Sequence, residues 1–125
     1  MKPVSVLETN WPLIDQPRLQ SIKALGEPDD ADGFFKGLLD IFFERAPSLL
    51  KELESAAVSQ DAFRIEKLAH ALKGSAGNLG AARMMHLSER LETIGRSKQL
   101  TEEVQLLLAA LKVAYPETRL ELLKK

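Results

Sequence analysis

The chain has 125 residues, a formal net charge of −1 and a pI near 6.1, with 45% apolar and 28% charged residues. A chain of this length can bury a full core in one domain, and its charge balance excludes the basic surface of a nucleic-acid binder. It has no cysteine, which excludes disulfides and thiolate metal sites and fits a cytoplasmic location.

The opening MKPVSVLETNWP has one lysine and no apolar core, so it does not read as a signal peptide. Residues 1–12 read as an extended lead-in to a single domain over 13–125. No apolar run approaches the roughly 18 residues of a membrane span; GLLDIFF is short and is interrupted by Asp40. A short helix is predicted from Pro17 to Leu25, with Pro17 suited to a first turn and Gly26 to a stop, followed by a turn at Pro28-Asp29-Asp30. A long helix then starts near Asp30 or Asp32. Its stripe is Phe35, Leu39, Phe42, Ala46, Leu49, Leu53 and Ala56. Pro47 frees the carbonyl of Phe43, but the stripe keeps its phase across it, so a kink is expected and not a split.

Ser59-Gln60-Asp61 breaks the pattern and supplies an N-cap. The next helix is predicted over Asp61–Asn78, with Ile65, Leu68, Ala69, Leu72, Ala76 and Leu79 inward and Gly80 as its stop. A fourth, over 81–97, buries Met84, Leu87, Leu91 and Ile94. The last begins at Thr101, with Glu102 and Glu103 favouring the helix dipole. Val104, Leu107, Leu108, Leu111 and Tyr115 line it, and Pro116 should bend it before Leu122. No stretch alternates with period two. Short connections make neighbours antiparallel, so the expected fold is all-α: an up-and-down antiparallel four-helix bundle with a short extra N-terminal helix.

His70 departs from a plain bundle pattern. At roughly 100° per residue it lies about 160° from Leu72 and points outward. Gly74 and Gly77 lie on the same outer side, Lys67 and Lys73 flank them, and Phe63 also projects outward. A helix-interior glycine costs roughly 0.8–1 kcal/mol relative to alanine. Two of them near an exposed histidine suggest close approach of another molecule to the backbone. The competing reading is an early helix end leading to Gly80. Imidazole is a good phosphoryl acceptor, being neutral and nucleophilic near neutral pH, and Lys73 one turn away offers a mobile ammonium to screen the added charge. A plain surface histidine fits the spacing equally.

Ala69-His70-Ala71-Leu72-Lys73-Gly74-Ser75-Ala76, followed by Leu79-Gly80-Ala81, resembles the signature of bacterial histidine phosphotransfer domains. FFERAPSLL (42–50) is similar to that family's second-helix pattern, Met84, Leu87 and Leu91-Glu92 to its fourth, and Leu111, Tyr115 and Leu122 to its last. Leu13-Ile14-Asp15 and the segment from Leu19 to Gly26 resemble its entry, so the resemblance spans residues 13–124. Pro116 and Thr118 depart from it, far from His70.

The resemblance implies that His70 accepts a phosphoryl group on Nε2, that Lys73 neutralises it and that Gly74 keeps the ring accessible. Glu92 stands where some members use a Gln to hold the other ring nitrogen. Hairpin geometry about Gly80 also sets Glu92 level with His70, where a carboxylate on Nδ1–H would fix the tautomer. Arg96, one turn on, is placed to approach the phosphate. The implied chemistry is in-line transfer between aspartates of response-regulator receiver domains, such as those of a hybrid sensor kinase. The receiver supplies Mg²⁺, and this chain needs no cofactor of its own. The sequence has no Gly-Lys-Ser/Thr nucleotide loop and no receiver-type acidic triad, so neither ATP binding nor autophosphorylation is expected. A freestanding protein and a domain excised from a larger kinase fit equally; a monomer is expected.

A docking surface beside His70 would use Lys67, Gly77 and Asn78, with Phe34, Ile41 and Phe63 as apolar anchors. Alternatively, these three aromatic and aliphatic side chains complete the core. His86 reads as an ordinary surface residue. A di-iron Glu-x-x-His motif is absent, since Glu66 precedes His70 by four positions. The alternative functions are a receiver-docking module that does not relay and an unrelated helical adaptor.

Overall fold

The computed structural model describes residues 11–26 and 31–124. The lead-in up to Asn10, the turn at Pro28-Asp29-Asp30 and a start at Asp30 lie outside them. The helices are α1 (Gln16–Lys23), α2 (Ala31–Val58), α3 (Ala62–Gly77), α4 (Ala82–Ser97) and α5 (Glu103–Leu123). No strand occurs among the described residues, and none of the helices is long and apolar enough to cross a membrane.

Local chemistry sets each boundary. The Asp15 carboxylate caps α1 by accepting from the Arg18 backbone N–H at 3.1 Å, so the helix starts one residue ahead of Pro17. It ends at Lys23, two residues before the predicted Leu25, because the Leu25 and Gly26 N–H groups turn to the carbonyls three residues back, Ile22 and Lys23, in place of the fourth. α2 runs through Pro47 without a break. The Phe43 carbonyl that Pro47 cannot serve lies 3.5 Å from the Tyr115 hydroxyl, which donates to it. Gln60 takes the left-handed conformation between α2 and α3, and Asp61 caps α3 through the Arg64 N–H at 3.1 Å. α3 stops at Gly77, and Gly80 completes the turn at φ 70°. The Gly80 carbonyl accepts from Asp15 N–H at 2.8 Å, and a Cβ there would sit 3.1 Å from the Asp15 carbonyl. Gly80 is thus both turn and docking point for α1. Thr101 stays outside α5 because its hydroxyl caps the Glu103 N–H at 3.2 Å. α5, like α2, passes its proline, Pro116, unbroken.

α2 and α4 each pack against both α3 and α5, which leaves α3 and α5 on opposite corners. The core centres on Phe42, Leu53, Ile65, Leu72, Met84, Leu87, Leu91, Leu107, Leu111 and Leu122, all essentially inaccessible. Leu39, Leu68 and Tyr115, predicted inward, pack at its edge, partly buried. Thr118 is fully buried with an unpartnered hydroxyl, a polar intrusion where an apolar side chain would serve better.

Small residues bring α3 and α4 together. Ala62, Ala69 and Ala76 recur every seven residues on α3, and Ala81, Ser88 and Gly95 do so at and along α4. A Cβ on Gly95 would lie 2.7 Å from the Glu66 backbone nitrogen and 3.0 Å from the Ala62 carbonyl. Only glycine permits this approach, and it carries the outer flank of α4 to within hydrogen-bonding reach of the outer flank of α3.

His86 is not an ordinary surface residue. Its ring stacks on Trp11, with centroids 4.5 Å apart and planes at 18°, and the Trp11 carbonyl accepts from Arg83 at 3.0 Å. The chain before α1 is thereby pinned to α4.

Candidate functional site

The flank where α3 meets α4 holds three pairs in one constant antiparallel register: Glu66 with Arg96, His70 with Glu92, and Gly77 with Met85. The His70 side chain is 68% exposed, whereas that of Glu92 is only 6% exposed. The acid is held under the imidazole by the close helix contact, and the imidazole faces solvent.

Nδ1 of His70 is 2.7 Å from Oε2 of Glu92. Lys73 Nζ reaches the other oxygen, Oε1, at 2.6 Å, and Arg96 Nη2 reaches Oε2 at 3.0 Å. Arg96 Nε also donates to Glu66 at 3.2 Å. Burial pushes the Glu92 carboxyl up, but the hydrogen bonds and charges of Lys73 and His70 outweigh it and hold the group below its ordinary 4.5. Glu92 is therefore an ionised acceptor near neutral pH. A carboxylate can only accept, so in the neutral imidazole the proton sits on Nδ1, and Nε2 with its lone pair is left on the side away from Glu92. The site presents an oriented nucleophile whose opposite side rests on a buried anion.

Lys73 is not the mobile ammonium expected. It is 29% exposed and tied to Glu92, because its position on α3 turns it toward α4. Its charge is part of the carboxylate's cage. Gly74 is exposed, and a Cβ there would meet nothing within 4 Å. No internal contact requires that glycine.

Gly77 is half-buried, contrary to its expected open position. Met85 Sδ lies 3.4 Å from where its Cβ would be, and its carbonyl accepts from Arg18 Nε at 2.9 Å. α1 therefore ties down the end of α3, and Gly77 is part of the scaffold. Asn78 is exposed as the α3 C-cap. Phe63 (64% exposed), Ile41 (57%) and Phe34 (38%) do not finish the core. Lys67 Nζ sits 5.2 Å over the Phe63 ring, two turns from His70 along the same face of α3. Ile41 and Phe34 lie on α2, farther from the imidazole and toward the Asn78 end by the antiparallel register.

Sequence reasoning missed Gly95, Glu66 and Arg18. The seven-residue recurrence of small residues was the available signal for Gly95. For Glu66, its position one turn before His70 and one antiparallel step from Arg96 was available. Among the described residues no group of three or more His, Cys, Asp or Glu side chains converges in the manner of a metal site.

The sequence pattern of the Hpt domain matches residues 37–122. The chain belongs to the Hpt domain family. It is 32% identical over 69 residues to multistep phosphorelay regulator 1 of Schizosaccharomyces pombe, covering 55% of this chain and 23% of that protein. It is 32% identical over 68 residues to phosphorelay protein LuxU of Vibrio vulnificus, covering 54% of this chain and 59% of that one. The chain thus spans from about a quarter to under two thirds of these relatives' lengths. The crystal structure of histidine-containing phosphotransfer protein B of Pseudomonas aeruginosa superposes with a TM-score of 0.79 at 24% identity, over 90% of this chain and 93% of that one. The Hpt bundle is the fold expected from the sequence.

Proposed function

We propose that this Hpt domain relays a phosphoryl group between receiver-domain aspartates through His70, with no kinase activity of its own. One observation carries the reading: an exposed imidazole whose Nδ1–H is fixed by a buried carboxylate, which leaves Nε2 as the ring's nucleophile, turned away from Glu92. Nε2 attacks the phosphorus of a receiver's aspartyl phosphate in line. The N–P bond forms as the P–O bond to aspartate breaks, and the Asp carboxylate leaves. Positive charge developing on the ring is met by Glu92 across the 2.7 Å hydrogen bond. Onward transfer reverses these bond changes with a second aspartate, and the ring keeps its Nδ1 proton throughout.

Gly74 leaves the approach to Nε2 clear, and Arg96, 62% exposed, has the reach to exchange Glu66 for a phosphate oxygen. Phe63, Lys67, Asn78, Ile41 and Phe34 form the face offered to the receiver. The receiver, including one within a hybrid sensor kinase, brings the Mg²⁺; the bundle needs no cofactor. The groups this chain contributes to the transfer, His70, Glu92, Lys73 and Arg96, all come from one copy, so the relaying unit is the monomer, working in the cytoplasm with its receivers.

The test is a two-step relay. The protein is loaded from a phosphorylated receiver domain, separated and offered to a second, unphosphorylated receiver. A single added phosphoryl group, labile in acid and stable in base, that then passes onward is the expected result. Receiver binding without uptake would identify a docking module, and neither binding nor uptake an adaptor.

A further inference from the structure

α5 carries an apolar stripe on the side facing away from the core. Leu106, Val113 and Leu120 are 39%, 61% and 60% exposed and recur every seven residues along one unbroken helix. Only small side chains, such as Ala109 and Pro116, lie between them on that face. Ion pairs border the stripe on both sides, Lys112 with Glu54 toward α2 and Arg83 with Glu117 toward α4. Single exposed apolar residues are ordinary, whereas a heptad line of them is the pattern of a helix seam.

The stripe is also self-complementary. Val113 lies midway between Leu106 and Leu120, and equally midway between Glu102 and Lys124, which sit at opposite ends of the same face. We infer that α5 pairs with α5 of a second copy, antiparallel about a two-fold axis through Val113. That axis sets Val113 against Val113, each Leu106 against Leu120 of the other copy, and Glu102 against Lys124 at both ends. Opposite charges at both ends, generated by one rotation, select a second copy of this chain over an unlike helix. A face about 31 Å long and one helix wide is small for a stable dimer, so the pairing should be weak. Because α5 and α3 occupy opposite corners of the bundle, the pair leaves both His70 side chains exposed on its outer sides. The inference does not depend on what His70 does.

The chain has no cysteine, so single thiols report the geometry. Under oxidation at high concentration, Val113→Cys should cross-link to itself. Leu106→Cys alone should not, its two thiols being about 20 Å apart, whereas a mixture of Leu106→Cys and Leu120→Cys should give the mixed product. In sedimentation equilibrium the wild-type average mass should rise with concentration. Val113→Glu, on an exposed position that leaves the thermal melt unchanged, should raise the dissociation constant at least tenfold. Glu102→Lys should weaken pairing and added Lys124→Glu restore it. A wild-type protein that stays monomeric to about 1 mM, or self-linking of Leu106→Cys, would overturn the inference. So would a dimer that appears only when residues 1–10 are removed, since the stripe would then be covered by the chain's own N-terminal segment.

Discussion

His70 and Glu92 form a pair in which the exposed member is oriented by the buried one: the 2.7 Å bond from Nδ1–H to Oε2 joins a side chain that is 68% exposed to one that is 6% exposed. The acid cannot turn away, because Lys73 and Arg96 hold it from two further directions. The imidazole is therefore preorganised by a carboxylate that is itself buried and held in place.

Removing that support should slow transfer without abolishing it. Glu92→Gln keeps an acceptor for Nδ1–H but removes the charge, so it should lose less rate than Glu92→Ala. Glu92→Ala should lose on the order of tenfold or more, by analogy with the outer partners of histidines in other sites. Single-turnover uptake from a phosphorylated receiver measures both. Imidazole ¹⁵N shifts should show the Nδ1–H tautomer in wild type and in Glu92→Gln, and a mixture in Glu92→Ala.

Glu92 also makes stability depend on acid. Its folded carboxyl titrates below the ordinary 4.5, so the folded state holds fewer protons than the unfolded state in that range. The stabilisation is complete above the unfolded value and is lost as pH falls below about 4.5 through the folded one. Denaturation of wild type and Glu92→Gln, compared from pH 7 downward, should show the wild-type advantage shrinking only below that point.

Gly74 separates stability from function. With open space where its Cβ would be, Gly74→Ala should stabilise α3 by up to about 1 kcal/mol through helix propensity. It should nevertheless slow transfer, because the added methyl meets the incoming receiver. A raised Tm with a reduced uptake rate checks both halves.

Gly95 should behave in the opposite way. A methyl at 2.7 Å from the Glu66 backbone nitrogen must push α3 and α4 apart, and overpacking of this kind costs about 1–3 kcal/mol. Gly95→Ala should lower stability in denaturant titration. It should also weaken the Nδ1–H signature, since Glu92 rides on the same helix.

The bundle was legible because four apolar stripes keep helical phase across short connections, and both prolines sit where the stripe continues on either side. His70, Gly74 and the level of Glu92 were legible from spacing and family resemblance together. The roles of Lys73 and Gly77 were not, because one-helix geometry says which residues point outward but not which of them the neighbouring helix covers. Lys73 turns to α4, and Gly77 lies under Arg18 and against Met85. Phe34 and Ile41 show the same limit in reverse, since their residue type argued for the core and the width of the α2 stripe left them outside it.

Intact mass spectrometry after incubation with a phosphorylated receiver, on wild type and His70→Gln in parallel, tests the central claim most directly. The account predicts one acid-labile phosphoryl addition to wild type and none to His70→Gln, with both proteins folded. An addition that survives His70→Gln would place the phosphoryl group on another residue and contradict it.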